Sequence, residues 1–422
     1  ELSYDFQAPI REYGQISETA KELKLLSMFV HDYGEAFCDM QPQFVGDDCE
    51  STSVHTGDFQ DAEDLSAFRM ITRRSGDRGY LFVNNYQRGY EMAAHKDVML
   101  RVQTADGKIS FPKQDIKNGA YFFYPFNFPL SDDVTLRWIN QTPLCNINQK
   151  LWFFYGIDKM QYEADEKLSG QVLISMDRTW AKCAWRMKKY PNILFFSALP
   201  ILETENGIEV ICRSDHAQKN CWIIMDATVE DAKTWIDNGW KKPDIIPDFL
   251  HVEGDASTIC VLSHELSAAD NQTVASFTHT DVNNCIIRKE KNVFDRAEKT
   301  DFSESEACVI DDTGKDYQEY VIRISYDKAY DAAKENIFLQ IDFQADQAEL
   351  YLNGEKIADQ YYIGDVWEVS LKRFDFPMEL ILRLYPLEED DKIYLETQPD
   401  YLNGRCCSLK DIRCVYECKE KL

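Results

Sequence analysis

The chain has 422 residues, 44% hydrophobic and 28% charged, which suits roughly two to four folded domains and excludes a disordered tail. Its net charge of −27 argues against nucleic acid or an anionic membrane surface as a partner, because both attract basic patches. No apolar run approaches the ~18 residues of a transmembrane helix.

Aromatic content is high, at 24 Phe, 22 Tyr and 8 Trp, and these rings fall in short runs with Val and Ile that favour β-sheet. The 13 cysteines are odd in number and scattered, unlike a small disulfide framework, and imply reduced thiols in a cytoplasmic protein. Glu1 is neither an initiator Met nor the start of a signal peptide, so the sequence reads as a processed piece.

In chain order, the opening stretch is Leu2-Ser3-Tyr4-Asp5-Phe6-Gln7-Ala8-Pro9-Ile10-Arg11-Glu12-Tyr13-Gly14. Leu23, Leu26, Val30, Tyr33 and Phe37 then recur at helical spacing, predicting a helix over about 17–36 with Ser17 as its N-cap. From 43 to 165 the pattern changes to short strands. Tyr80-Leu81-Phe82-Val83-Asn84-Asn85-Tyr86-Gln87-Arg88 is followed by Val98–Val102, a turn at Ala105-Asp106-Gly107-Lys108, and the aromatic run from Tyr121 to Phe126. Residues 166–315 read as an irregular β-rich middle domain, with strands at 171–175, 193–196 and 209–212 and a short helix between Thr228 and Trp240. The last segment, 316–422, carries the alternating run Asn336–Phe343 and a hairpin around Asn353-Gly354. Trp367-Glu368-Val369-Ser370-Leu371, Leu380–Tyr385 and Lys392-Ile393-Tyr394-Leu395 would complete its sheets. The fold class expected is mostly β: several β-sandwich or jelly-roll domains with a strand and helix at the N-terminus.

The opening stretch resembles the Ser-Tyr-Asp-Tyr-Asp-Ala-Pro signature of family-35 glycoside hydrolases, the β-galactosidases. In that family the signature lies on the last strand and loop of the catalytic (β/α)8 barrel. The Lys-Glu-Leu-Lys-Leu-Leu run at 21–26 resembles the helix that closes the barrel. The Leu-Phe-Val-Asn-Asn-Tyr-Gln-Arg phrase at 81–88 and Pro125-Phe126-Asn127-Phe128-Pro129-Leu130 resemble the β-domain that follows it, and residues 316–422 resemble a galactose-binding-like jelly roll. The resemblance implies four segments: a barrel remnant at 1–42, a β-domain at 43–165, the middle domain at 166–315 and the jelly roll at 316–422. It also implies a non-catalytic portion of a retaining β-galactosidase, because the two carboxylates that must stand about 5–5.5 Å apart belong to family phrases that precede the signature. Arg11-Glu12-Tyr13-Gly14 imitates one such phrase but follows Ala-Pro directly, where the family assigns its Glu no catalytic role. Phe6 stands where the family presents a sugar-contacting Tyr, with Tyr4 beside it. These two are the candidate substrate-binding residues, and no catalytic residue is assigned.

Other chemistry-bearing residues are sparse. His251-Val-Glu253, His264-Glu265 and His279-Thr-Asp281 pair His with a carboxylate, yet no phrase converges them. Cys406, Cys407, Cys414 and Cys418 match no zinc-ribbon spacing. The acidic loop Leu387–Lys392 lacks a calcium-loop pattern. Neither metal nor cofactor is expected. The aromatic runs 121–128 and 151–155 suit a sandwich core, and could also stack on sugar faces. The expected partner is a β-galactoside or other carbohydrate, with no nucleic acid and no membrane, and the resemblance allows a homo-oligomer held by the β-domains. The alternative is an independent carbohydrate-binding module. An intact enzyme of another kind finds no supporting motif.

Overall fold

A computed structural model describes residues 8–44, 46, 48–53, 56–57, 64–216, 220–227, 231–267, 273–280, 286–287, 309–310, 316–326 and 335–422. The protein is mostly β, as expected, with several antiparallel sheets. Two compact units divide the chain, and residues 166–315 are shared between them. One comprises residues 18–198 and 220–265, the other residues 1–17, 199–219 and 266–422.

The first unit is built around a long helix, α1 (Glu18–Cys38), which starts one residue after Ser17. The Ser17 hydroxyl donates to the Pro9 carbonyl at 3.1 Å. The helix is apolar on two faces. Leu25 and Met28 enter a core with Leu144, Phe153, Ile174 and Ile224, while Phe29 and Tyr33 enter an aromatic core with Tyr80, Phe128, Trp152 and Phe154. The predicted apolar face is therefore only partly the buried one: Tyr33 is buried, but Leu23, Leu26 and Val30 are exposed at 49%, 53% and 49%.

Around α1 lie a seven-stranded sheet and two four-stranded sheets. The large sheet centres on Phe68–Ser75, Arg78–Asn85 and Ala120–Pro129, paired antiparallel in that order. One four-stranded sheet runs Thr142–Ile147, Leu151–Gly156, Val172–Asp177 and His251–Glu253, and its middle pair is parallel. The Ala105–Lys108 turn closes a hairpin between Leu100–Thr104 and Gly107–Ser110, where Gly107 takes φ +114°. The 98–102 run is divided at Met99, because His95–Val98 pairs with Gln114–Ile116 and Leu100–Thr104 pairs with Gly107–Ser110. The helix expected near 228–240 is Asp231–Asp237, with residues 228–230 outside the described set.

The second unit is a two-sheet sandwich. A five-stranded sheet runs Ile201–Thr204, Gly207–Arg213, Ser408–Lys421, Glu335–Gln344 and Trp367–Ser370. The facing sheet includes Val274–Thr280, Asp316–Ser325, Glu379–Tyr385, Gln347–Leu352 and Glu355–Tyr361. Leu339, Ile341, Val369 and Ile412 from one sheet meet Ile322, Leu350, Leu382 and Leu384 from the other in a single core. Asn353 and Gly354 both have positive φ, 52° and 85°, as the predicted two-residue hairpin turn requires. Residues 392–395, expected as a strand, lie in an irregular segment with Ile393 and Tyr394 exposed. They carry the strand composition, but no strand among the described residues pairs with them. Residues 8–17 form a turn in which Ile10 bridges Ile16 and Gly14 (φ +89°) donates to the Arg11 carbonyl.

Candidate functional site

Tyr4 and Phe6, the site residues implied by the resemblance, lie outside the described residues. Glu12 is exposed on the turn at 8–17, beside Arg11, whose guanidinium reaches Asp365 at 3.4 Å. His251 and Glu253 sit on one edge strand with Nε2 and Oε1 3.1 Å apart. The side chains of His279 and Asp281 are outside the described set. Cys406 and Cys407 donate to the carbonyls of Gln344 and Leu384, so these sulfurs serve separate backbone sites. Among the described residues no group of three His, Cys, Asp or Glu could hold a metal ion.

The aromatic runs divide between core and surface. Phe126, Phe153 and Phe154 are fully buried, yet Tyr121, at the start of the first run, is 41% exposed. It borders a pocket of about 270 Å³ in the first unit, lined also by Phe122, Thr142, Tyr155, Ile157 and Arg178. Two elements set its geometry. The strand Ala120–Pro129 brings Tyr121 beside Tyr86, with ring centroids 6.1 Å apart. A short helix, α2 (Arg178–Lys182), begins where Asp177 caps the Trp180 amide at 2.8 Å and so aims Arg178 at the pocket.

The Arg178 guanidinium lies 4.2 Å from the Tyr121 centroid and 5.8 Å from that of Tyr155. It donates to Glu22 of α1 at 2.5 Å and to the Tyr121 carbonyl at 3.3 Å. Lys182 pairs with the same Glu22 at 2.7 Å. Burial raises the carboxylate's pKa, but the hydrogen bonds from Arg178 and Lys182 outweigh it and hold Glu22 below its usual range. Burial pushes the Tyr155 phenol up to about 12, so it stays a neutral donor at neutral pH. Gly156 allows the pocket floor to close, since a Cβ there would stand 2.4 Å from the buried Gln141 Oε1. The result is a pocket with one half-exposed ring, Tyr121, held between Tyr86 and a guanidinium that is itself ion-paired to Glu22. It offers a ligand one aromatic ring beside a fixed cation. Neither a protein-family model nor a curated protein matches the chain.

Arg178 was not visible as a site residue in the sequence. It lies 57 positions from Tyr121, as their hydrogen bond across the fold records, and no local motif links the two. The only signal was Tyr121 itself, in an aromatic run whose other rings are needed for packing.

Proposed function

We propose that these residues are the non-catalytic β-domain part of a β-galactosidase-like glycoside hydrolase. In this reading α1 seats against a catalytic (β/α)8 barrel and the β-domains buttress it. The observation that carries the reading is the second apolar stripe of α1. Leu23, Leu26 and Val30 follow at i, i+3 and i+7, on one line of the helix surface, and all three are about half exposed while another face fills two cores. A helix between a barrel and a β-domain needs two apolar faces. The signature resemblance at 3–9 and the lack of the family's catalytic phrases in this sequence agree with it. A reducing, cytoplasmic setting belongs to the same proposal and draws on the free thiols among the described residues.

Two measurements test it. The pure chain should leave an aryl β-galactoside unhydrolysed, and appreciable turnover would sink the non-catalytic reading. Leu26→Glu with Val30→Glu should change stability by no more than about 0.5 kcal/mol, because surface substitutions rarely do more. In sedimentation the wild-type chain should self-associate through the exposed stripe, and the double variant should run as a monomer. A large loss of stability would instead make the stripe part of this chain's own core.

The Tyr121–Arg178 pocket favours a second reading, an independent carbohydrate-binding module. Methyl β-galactoside should then give saturable heats in calorimetry, and Tyr121→Ala should weaken binding by about 10-fold or more, the ~1.4 kcal/mol or more expected of a lost stacking ring. Flat traces at millimolar sugar would remove this reading while leaving the first intact.

A further inference from the structure

The strand pair Gly207–Arg213 and Ser408–Lys421 places Cys212 directly opposite Cys418. Two ladder bonds fix the type of that position. Ser214 donates to the Tyr416 carbonyl and Leu422 to that of Ile208, each at 2.9 Å. The pairs 214–416 and 208–422 are therefore hydrogen-bonded pairs, and with regular register so is 212–418. Cα atoms in such a pair stand about 5.5 Å apart, inside the range a disulfide spans. As directly opposed residues of an antiparallel pair, the two side chains project from the same face and set the thiols side by side.

Their surroundings differ. Cys212 is buried, while Cys418 is partly exposed. The Cys212 Sγ lies 3.7 Å from Glu420 Oε2. The adjacent Cys418 sulfur, burial and Glu420 all hold Cys212 as the thiol, and that same pairing draws Cys418 toward the thiolate. One partner is thus the accessible nucleophile and the other a protected, resolving thiol.

We propose that Cys212 and Cys418 form a reversible disulfide, a thiol-redox modification site whose oxidant is a low-molecular-weight disulfide of the glutathione type. The Cys418 thiolate attacks one sulfur of that disulfide, forming a mixed disulfide and expelling one thiolate. Cys212 then gives up its proton to the nearby Glu420 carboxylate or to solvent. Its sulfur attacks Cys418 and expels the second thiolate. Two protein thiols are oxidised and one small disulfide is reduced to two thiols. The bond ties the last strand to its neighbour inside the five-stranded sheet, one strand in from the edge strand Ile201–Thr204. Cβ atoms of a hydrogen-bonded pair stand about 5.5 Å apart, further than a relaxed disulfide holds them, so the bond is readily reduced again.

The test uses the full folded chain, equilibrated with defined ratios of oxidised to reduced glutathione, quenched with an alkylating agent and digested for peptide mass spectrometry. The expected product is a peptide joining Cys212 to Cys418, lighter by two hydrogens, that disappears when reduced glutathione is added back. Cys212→Ser should trap Cys418 as a stable glutathione adduct, whereas Cys418→Ser should leave Cys212 unmodified. Cys407→Ser, a control elsewhere in the same sheet region, should leave the joined peptide unchanged. The proposal is overturned if the wild-type chain yields no 212–418 peptide while other thiols are oxidised, or if Cys212 proves to be the glutathionylated residue.

Discussion

Replacing Asp32 by Ala is expected to cost the first unit about 3–5 kcal/mol, the loss typical when one partner of a buried ion pair is removed. Asp32 lies in the C-terminal half of α1 with its side chain only 5% exposed. Its carboxylate accepts from the Arg186 guanidinium on the strand Ala184–Met187, and from the Asn146 backbone amide, at 2.7 Å, on the strand Thr142–Ile147. The Asn146 side-chain amide reaches the same oxygen at 3.4 Å. One carboxylate therefore ties the helix to two different sheets, and its removal leaves a guanidinium and a backbone amide facing a void. His31 also contacts Asp32, but its side chain is 70% exposed and contributes little. Denaturant unfolding should show the loss. Hydrogen exchange should show protection falling first in 142–147 and 184–187. A change under about 1 kcal/mol would mean that water replaces the carboxylate at no cost.

This arrangement explains why the helix was legible and its packing was not. Apolar residues on α1 occur at 23, 25, 26, 28, 29, 30, 33 and 37, which is almost all round the cylinder. Such a pattern identifies a helix, but cannot say which stripe is buried when two cores and an exposed stripe all demand apolar residues. Turns were legible for a local reason: Gly107 and the Asn353-Gly354 pair take positive φ, a requirement written in the residue itself.

The longest strand, Ser408–Lys421, escaped the sequence reading. Its outward positions carry Asp411, Arg413 and Glu417, which look like a polar loop until their partners are known. Arg413 donates to Gln340 on the adjacent strand, and beyond it Gln340 donates to Glu368, the carboxylate that Arg213 pairs with at 2.5 Å. Those partners come from residues 213, 340 and 368, and no window along the chain brings them together. The candidate pocket was hidden in the same way. Tyr121, Glu22 and Arg178 are ordinary surface residues in sequence and become a site only through the contacts between α1, α2 and the strand Ala120–Pro129.

Lys356→Met is expected to cost the sandwich unit about 3 kcal/mol, at the low end for a broken buried pair because the lysine side chain is 29% exposed. The strands Gln347–Leu352 and Glu355–Tyr361 place Glu349 directly opposite Asp359, on the face away from the apolar core. Like charges directly opposed across a strand pair are destabilising, and these two are 8% and 1% exposed. Lys356 lies between them, 3.0 Å from Glu349 and 3.1 Å from Asp359. It reaches both because the register shifts between Leu350 and Tyr351, which sets Lys356 across from Tyr351. Burial disfavours the ammonium here, yet the two carboxylates more than offset it and raise its pKa. Tyr351 and Tyr385 donate to the second Glu349 oxygen at 2.6 and 3.1 Å, so when the lysine is lost the carboxylate keeps two phenols and faces Arg383, directly opposite on the strand Glu379–Tyr385 and already paired with Glu319. The penalty in Lys356→Met is therefore repulsion and incompletely compensated charge, not unsatisfied hydrogen bonds. Adding Glu349→Gln removes one of the two charges while retaining an acceptor for the phenols. The double variant should accordingly recover most of the lost stability, giving a coupling energy of about 1–3 kcal/mol in a double-mutant cycle. Additive losses in that cycle would show that Lys356 acts through its packed methylene stem, and the charge explanation would fall.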